Sequence, residues 1–116
     1  MIHDMVIYQK MYDLILYAFP IVNRFPKSQR FVLGQEIQNL MITILRLIIQ
    51  ANKEKNKSFT FFKIDVALEE LRVLVRLAKD LKFIDVKKYG NISEKISEVG
   101  RLLGGWIKGV GDGGQG

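Results

Sequence analysis

The chain has 116 residues, with 18 lysines and arginines against 12 aspartates and glutamates, no cysteine and a single histidine, His3. This length fits one domain with one hydrophobic core, and the lack of cysteine excludes disulfides, thiolate nucleophiles and cysteine-ligated metals. One histidine near the start offers neither a histidine metal site nor the usual carrier of catalytic protons, so we expect a cytoplasmic protein that is not an enzyme and has no cofactor or metal.

The first predicted helix has apolar residues at helical spacing and Pro20 near its end, where the missing amide N–H ends or kinks a helix. Its apolar stripe consists of Ile7, Met11, Leu14, Ile15, Ala18 and Val22. Pro26 then interrupts the pattern, and Ser28 is expected to cap a second helix that begins near Gln29. A short connection therefore joins the first two predicted helices.

This connection, NRFPKSQRF at residues 23–31, carries Arg24, Lys27 and Arg30, with no acid nearby in sequence until Glu36. A net charge of +6 on so small a chain favours nucleic acid, anionic lipid or an acidic protein as a partner. Two interpretations stay open. The segment is either an ordinary joint between helices or one edge of a surface that binds a polyanion.

The second predicted helix runs to about Ala51 and carries more apolar surface than one core needs. Its main stripe consists of Leu33, Ile37, Leu40, Met41, Ile44, Leu47 and Ile48. A second strip, formed by Ile42, Leu45 and Ile49, lies about a quarter to a third of a turn away. Exposed together, the strips favour self-association through the second one. The alternative is that the first helix wraps the second more widely than in an ideal bundle.

No membrane partner is expected from the apolar patterning. The longest apolar run, residues 40–49, is interrupted by Thr43 and Arg46 and is shorter than a membrane-spanning segment. In addition, no predicted helix pairs a wholly apolar face with a dense basic face.

The third predicted helix follows a polar turn with Lys53, Lys55 and Lys57, and Thr60 is expected to cap it. Its apolar stripe consists of Ile64, Ala67, Leu68, Leu71, Leu74, Val75, Ala78 and Leu81. A basic strip, Arg72, Arg76 and Lys79, shares its face with Asp65, Glu69 and Asp80. This strip is either solvated and paired with those acids or free to bind a partner.

The fourth predicted helix is introduced by Asn91 and Glu94, which resemble a capping box, and ends at Gly109. Its apolar stripe consists of Ile92, Ile96, Val99, Leu102, Leu103 and Trp106. Gly100, Gly104 and Gly105 each cost about 1 kcal/mol relative to alanine inside a helix. With Trp106 as a large anchor, we interpret these residues as a packing site, inside the bundle or between subunits.

Four amphipathic helices with short connections predict an all-α fold, an antiparallel up-and-down four-helix bundle that is oligomeric. The bundle is expected to occupy residues 1–109, followed by a flexible Gly-rich tail at residues 110–116. In such a bundle the first and second connections lie at opposite ends, so their cations would act together only as rings of charge in an oligomer.

Three segments resemble the accessory protein (Avd, accessory variability determinant) of diversity-generating retroelements. They are ILYAFPIVNRFPKSQRFVLGQEI, DVALEELRVLVRLA and SEVGRLLGGWIK, and the resemblance covers residues 7–108. Its most specific parts are L-R-x-x-x-R in the third helix and E-V-G-R-x-L-G-x-W-I in the fourth. The F-P-K of residues 25–27 also resembles the related family of ribosomal RNA intervening-sequence proteins, which are four-helix bundles too.

The Avd resemblance implies a homopentameric ring with a basic surface that binds the retroelement's reverse transcriptase and RNA or DNA. Such a ring is required for mutagenic, cDNA-mediated transfer of a template repeat into a variable repeat. Carried over by motif, Arg72 and Arg76 take a partner- or RNA-binding role, and Glu98, Arg101, Gly104 and Trp106 a structural one. The tail lacks lysine and arginine, which sets it apart from a basic nucleic-acid-binding tail.

The sequence therefore predicts a non-enzymatic accessory protein that binds nucleic acid and partner protein through the cations of the first connection and the third helix. Those residues are Arg24, Lys27, Arg30, Arg72, Arg76 and Lys79. The alternative is a structural interaction module of the intervening-sequence type, in which the positive charge serves only solubility.

Overall fold

Four long helices dominate the computed structural model, which describes the backbone of residues 2–112 and the side chains of residues 5–111. In chain order the elements are α1 (Ile2–Val22), α2 (Lys27–Gln29), a π-helical turn (Arg30–Gly34), α3 (Gln35–Lys53), α4 (Ser58–Asp80) and α5 (Val86–Asp112). No strand occurs within this range, which confirms the predicted all-α class.

The long helices form a four-helix bundle in which each packs on two others. α1 lies between α3 and α5, and α4 closes the square on the opposite side. Since the connections are short, consecutive helices run antiparallel, and the body is 48 Å long. The first and third connections therefore meet at one end, and the second connection lies at the other.

The core consists of the predicted apolar stripes. Fully buried side chains include Ile7, Met11 and Leu14 of α1 and Ile64 and Leu68 of α4. Each burial of this kind stabilises the fold by roughly 1.5–3 kcal/mol. By length and mean hydropathy, residues 27–53 meet the criteria for a membrane-spanning helix. About a third of this window (33%) is buried in the bundle, including Ile37, Met41 and Ile44.

The start of α2 differs from the prediction. α1 ends two residues after Pro20, at Val22, and α2 begins at Lys27, directly after the extended Pro26 (φ −50°, ψ 141°). The Pro26 carbonyl accepts the first helical hydrogen bonds, from the backbone N–H groups of Gln29 (2.8 Å) and Arg30 (3.0 Å). Ser28 therefore lies inside the helix, and its predicted role as the cap was wrong.

The start of α4 differs too. α4 begins at Ser58, whose backbone N–H donates to Asn56 Oδ1 at 3.1 Å. Thr60, predicted as the cap, is instead a buried residue of the first turn. Its hydroxyl donates to Glu54 Oε1 at 2.5 Å and accepts a hydrogen bond from Gln50 Nε2 at 3.3 Å. Thr60 thus fastens α4 to the end of α3 rather than capping its own helix.

α5 is longer than predicted at both ends. It begins at Val86, with Asp85 as its cap, because Asp85 Oδ1 accepts the backbone N–H of Lys88 at 2.7 Å. Asn91 and Glu94 are helix-interior residues, so the predicted capping box was wrong; the Asn91 amide donates to the Tyr17 hydroxyl at 2.9 Å. The helix continues through Gly109 to Asp112, which corrects the predicted end, and tail residues 113–116 lie outside the described range.

Candidate nucleic-acid interface

The first and third connections of the bundle pack against each other through aromatic and apolar side chains. The rings of Phe25 and Phe83 have their centroids 5.6 Å apart, and Phe25 and Ile84 are buried. This small core fixes the positions of the charged residues around it, which makes one end of the bundle a single surface rather than two separate turns.

We call this end the basic pole. It brings together seven cations of residues 23–34 and 79–88: Arg24, Lys27, Arg30, Lys79, Lys82, Lys87 and Lys88. All except the half-buried Lys79 are exposed. The same residues include only two acids, Asp80 and Asp85. The pole therefore has a strong net positive charge and favours anions.

Both acids of the basic pole are already occupied. Asp80 Oδ1 lies 3.1 Å from Lys79 Nζ, and its Oδ2 lies 3.8 Å from Arg76 Nε. Asp85 caps α5 and lies 3.4 Å from Lys88 Nζ. The hydrogen bond from the Lys88 backbone, together with that from the Lys88 side chain, holds the pKa of Asp85 below its ordinary value. Lys82 and Lys87 are exposed, and among the side chains that the structure describes neither ammonium group pairs with an acid.

Lys82 is placed at the basic pole by the way α4 ends. The backbone N–H of Lys82 donates to the Lys79 carbonyl at 2.9 Å, and that of Phe83 donates to the Ala78 carbonyl at 2.8 Å. This pair of bonds is a Schellman motif, which requires a left-handed residue, and Lys82 has φ 68°. Glycine is the usual residue there, so a lysine at this position is energetically costly.

The predicted basic strip of the third helix is largely paired within the chain. Arg72 Nη1 lies 3.1 Å from Glu69 Oε1, and Arg76 and Lys79 share Asp80. Lys79 Nζ also lies 4.8 Å from the centre of the Tyr89 ring. The strip thus matches the self-paired interpretation more closely than Arg24, Lys27 and Arg30 do. Exposed pairs of this kind are worth little and can exchange for phosphate.

The second connection forms the opposite pole, as predicted, and carries Lys53, Lys55 and Lys57 around Glu54. The Lys57 ammonium donates to the Glu54 backbone carbonyl. Hydrogen bonds from Thr60 and then Gln50 to the carboxylate lower the pKa of Glu54. Here the acid is held by neutral donors, so it stays ionised and offsets part of the local positive charge.

The predicted oligomer strip faces the groove between α1 and α3. Ile42 and Leu45 are half-buried, and Ile49 is 46% exposed. Ile49 lines a depression of about 410 Å³ with Met5 and Tyr8. Farther along α1, Tyr12 and Leu16 are exposed as well. The strip therefore continues into an apolar face on two helices, which the first helix does not cover.

The predicted packing residues of the fourth helix separate into two groups. Trp106 is buried, and its ring meets Phe61 edge-on at 5.0 Å between centroids. Gly100 lies against the Arg72 guanidinium. A Cβ at Gly104 or Gly105 would meet no other atom within 4 Å. The interpretation as packing inside the bundle is therefore wrong for these two glycines, while it describes Trp106 and Gly100.

Two further residues of the fourth-helix motif form exposed ion pairs. Glu98 pairs with Lys10 at 3.5 Å, and Arg101 pairs with Glu94 at 3.5 Å.

The sequence reasoning missed Lys82, Lys87 and Lys88. The signal was present, because the first and third connections of an up-and-down bundle always share an end. Among the described residues there is no group of three or more histidine, cysteine, aspartate or glutamate side chains arranged to hold a metal ion. What the basic pole can do chemically is bind phosphates, through charge and exposed donors.

One family model matches the chain, the model described as bAvd-like, over residues 5–110. A comparison with curated proteins found no match. The matched range includes α3 and α4, nearly all of α1 and α5, and the whole basic pole.

Proposed function

The chain belongs to the bAvd-like family of accessory variability determinants, the accessory proteins of diversity-generating retroelements, and from this premise we propose that it joins a reverse transcriptase to RNA or cDNA. In this proposal the protein is not an enzyme. It assembles in the cytoplasm into a basic ring, a homopentamer, and supports mutagenic retrohoming.

The observation that carries this proposal is the meeting of two connections in one basic pole. Arg24, Lys27 and Lys87 are exposed there, and the local acids Asp80 and Asp85 are engaged with other groups. Lysine and arginine contacts to phosphate bring about counterion release and need no particular base sequence. The pole therefore suits sequence-independent binding of RNA or cDNA. Sequence specificity then comes from base pairing and from the transcriptase.

Self-association strengthens the binding of RNA or cDNA. The apolar face of α1 and α3, which includes Tyr12, Leu16 and Ile49, supports assembly because a monomer would expose it to water. In a ring of parallel bundles, the basic poles of all copies lie on one side. Several weak phosphate contacts then act together, which raises the overall affinity well above that of one pole.

The reverse transcriptase is the proposed protein partner, and Arg72 and Arg76 contribute to its binding. Both side chains are at least partly exposed, and their present acid partners Glu69 and Asp80 are on the protein surface. Because exposed ion pairs are weak, a partner's carboxylate or a phosphate can replace Glu69 or Asp80 at small cost.

The test is co-purification with the reverse transcriptase encoded nearby, followed by RNA binding over a range of salt. We expect one complex, and RNA affinity that falls steeply as salt rises. Charge reversal at Arg24, Lys27 and Lys87 should weaken RNA binding far more than the matched reversal at Lys53, Lys55 and Lys57 of the opposite pole. Absence of both transcriptase binding and salt-sensitive RNA binding contradicts the proposal.

A second candidate is a structural module of the intervening-sequence type with no specific nucleic-acid role. The ion pairs of Arg72, Arg76 and Lys79 favour it, because these cations already have acid partners within the chain. This candidate predicts that reversing Arg24, Lys27, Arg30, Arg72 and Arg76 leaves RNA affinity at the nonspecific background.

A further inference from the structure

The π-helical turn presents two large apolar side chains to solvent beside the basic pole. Phe31 is 73% exposed and Val32 is 61% exposed. A π-helical turn contains one more residue than an α-helical turn, so Leu33 and Gly34 face the core while Phe31 and Val32 face outward. The exposed Arg30 directly precedes them. We call Arg30, Phe31 and Val32 the basic knob.

A groove between α3 and α4 has the opposite charge. Its apolar floor is formed by Leu40, Val66, Val73 and Leu74, and its volume is about 660 Å³. Its rim carries the carboxylates of Glu36, Asp65, Glu69 and Glu70, and none of the described residues lining it is a lysine or arginine. On a chain of net charge +6, this acidic groove attracts a group that is both apolar and cationic.

We propose that the acidic groove of one copy receives the basic knob of a second copy. Phe31 and Val32 lie on the apolar floor, and the Arg30 guanidinium meets carboxylates of the rim. The proposal rests on the self-association put forward above, and it adds the knob and the groove, as a second contact between copies, to the apolar face of α1 and α3. A planar guanidinium suits this site because it binds carboxylates through two parallel hydrogen bonds.

The two surfaces make the contact head-to-tail. The knob belongs to the turn that leads into α3, whereas the groove lies between α3 and α4. Because the knob and the groove are different surfaces, the contact between two copies is heterologous. Repetition of such a contact closes a ring when the rotation divides a full turn. Arg24 and Lys87 remain on the basic pole for nucleic acid.

Two variants test the contact by sedimentation of the full chain. The knob variant is Phe31→Ser with Val32→Ser, and the groove variant is Val66→Arg with Val73→Arg; all four side chains are exposed, so the bundle remains folded, as circular dichroism checks. We expect each variant to raise the dissociation constant of the assembly at least about tenfold. The matched control, Phe59→Ser, removes an equally exposed phenylalanine outside both surfaces and should assemble as the parent does.

Mixing the two variants provides the sharper result. An intact groove on the knob variant meets an intact knob on the groove variant, so an equimolar mixture should form complexes of two chains and stop there. Two monomeric variants that do not pair on mixing would overturn the head-to-tail contact. A charge arm adds Arg30→Glu, which should weaken assembly and be rescued by a copy carrying Glu69→Arg and Glu70→Arg.

The outcomes separate this inference from the proposed function. Variants that assemble like the parent overturn the knob-and-groove contact and leave self-association standing. A parent chain that stays single at micromolar concentration overturns self-association, and the contact with it. If the groove variant assembles normally but no longer co-purifies with the reverse transcriptase, the groove's occupant is the transcriptase, and the inference of a second copy is wrong.

Discussion

The guanidinium of Arg72 occupies the space that Gly100 leaves on α5. A Cβ built on Gly100 would lie 2.7 Å from Arg72 Nη2, closer than atoms approach without a shift. The same guanidinium pairs with Glu69 of its own helix at 3.1 Å. Glycine therefore leaves room for a long cationic side chain of α4 beside α5, and the two motifs of the family resemblance meet at this contact.

Alanine at Gly100 and at Gly104 should affect stability differently. Alanine inside a helix is favoured over glycine by about 1 kcal/mol, and a Cβ at Gly104 meets nothing within 4 Å. Gly104→Ala should therefore raise the free energy of unfolding by about that amount, whereas Gly100→Ala should gain less because the Arg72 guanidinium must move. Urea unfolding of both variants measures the difference.

The Gly104→Ala variant also tests the other interpretation of this glycine, which is packing between subunits. If Gly104→Ala lowers stability at concentrations where the protein is assembled, but not under dilute conditions, then Gly104 packs between subunits. Equal gains for Gly100→Ala and Gly104→Ala would contradict a packed position for Arg72.

Trp106→Ala should be the most destabilising of the substitutions considered for α5. The indole is 4% exposed and meets Phe61 edge-on, so its removal leaves a large cavity. The expected loss is about 3–5 kcal/mol in the free energy of unfolding. Ile107→Ala, at a neighbouring exposed residue, is the matched control and should cost far less. A small loss for Trp106→Ala would show that α5 frays before Trp106 contributes.

The helix stripes were predictable from the sequence because burial repeats every three to four residues in each long helix. Burial in the core explains why the stripe residues are apolar, as at Ile7, Met11 and Leu14 or at Ile92 and Ile96. The helix ends were harder to predict, because several residues compete for the role of cap. Ser28, Thr60 and Asn91 are all good caps by chemistry, yet the helices begin at Lys27, Ser58 and Val86. In each case another residue accepts the first backbone hydrogen bonds: Pro26, Asn56 or Asp85.

The basic pole was only half predictable. Arg24, Lys27 and Arg30 are close in sequence, but the cations of the third connection join them only through the topology of the bundle. The exposure of Phe31 and Val32 had no sequence signal, because it depends on one extra residue in a helical turn. A Cβ at Gly34 would lie 3.2 Å from Val22 Cγ1, so the close approach of α1 to this turn is itself a tertiary effect.

Acid should weaken the protein partly through Glu54. Hydrogen bonds, first from Thr60, hold the pKa of Glu54 below its ordinary value of 4.5. A pKa that is lower in the folded state than in the unfolded state stabilises the fold at any pH above the unfolded-state pKa. This contribution disappears as the pH falls through the folded-state pKa. Thr60→Val removes the main bond, so the variant should be less stable than the parent at neutral pH, with the gap narrowing in acid.

The measurement is urea unfolding of parent and Thr60→Val at about pH 7 and about pH 3. Valine keeps the shape of the buried threonine, so packing changes little. Asp85→Asn is the matched comparison, because asparagine also caps helices while removing the carboxyl whose pKa the Lys88 backbone lowers. Parallel pH profiles for parent and Thr60→Val would show that Glu54 contributes nothing to acid sensitivity.

Substitutions at Lys82 should separate the effect of this residue on stability from its effect on nucleic-acid binding. Its φ of 68° is unfavourable for a residue with a side chain, by roughly 1–2 kcal/mol relative to the right-handed region. Lys82→Gly keeps the Schellman hydrogen bonds and relieves this strain, so it should raise the free energy of unfolding by about 1 kcal/mol. It also removes one cation of the basic pole, so affinity for a mixed-sequence single-stranded RNA should fall.

Lys82→Ala is the control that divides the two effects, since it removes the same charge but keeps a Cβ in the left-handed conformation. Both variants should lose RNA affinity equally, and the slope of log affinity against log salt should become shallower by about one for a lost phosphate contact. Only Lys82→Gly should gain stability. If both variants bind RNA as the parent does, Lys82 makes no phosphate contact, and the strain at the end of α4 serves some purpose other than binding.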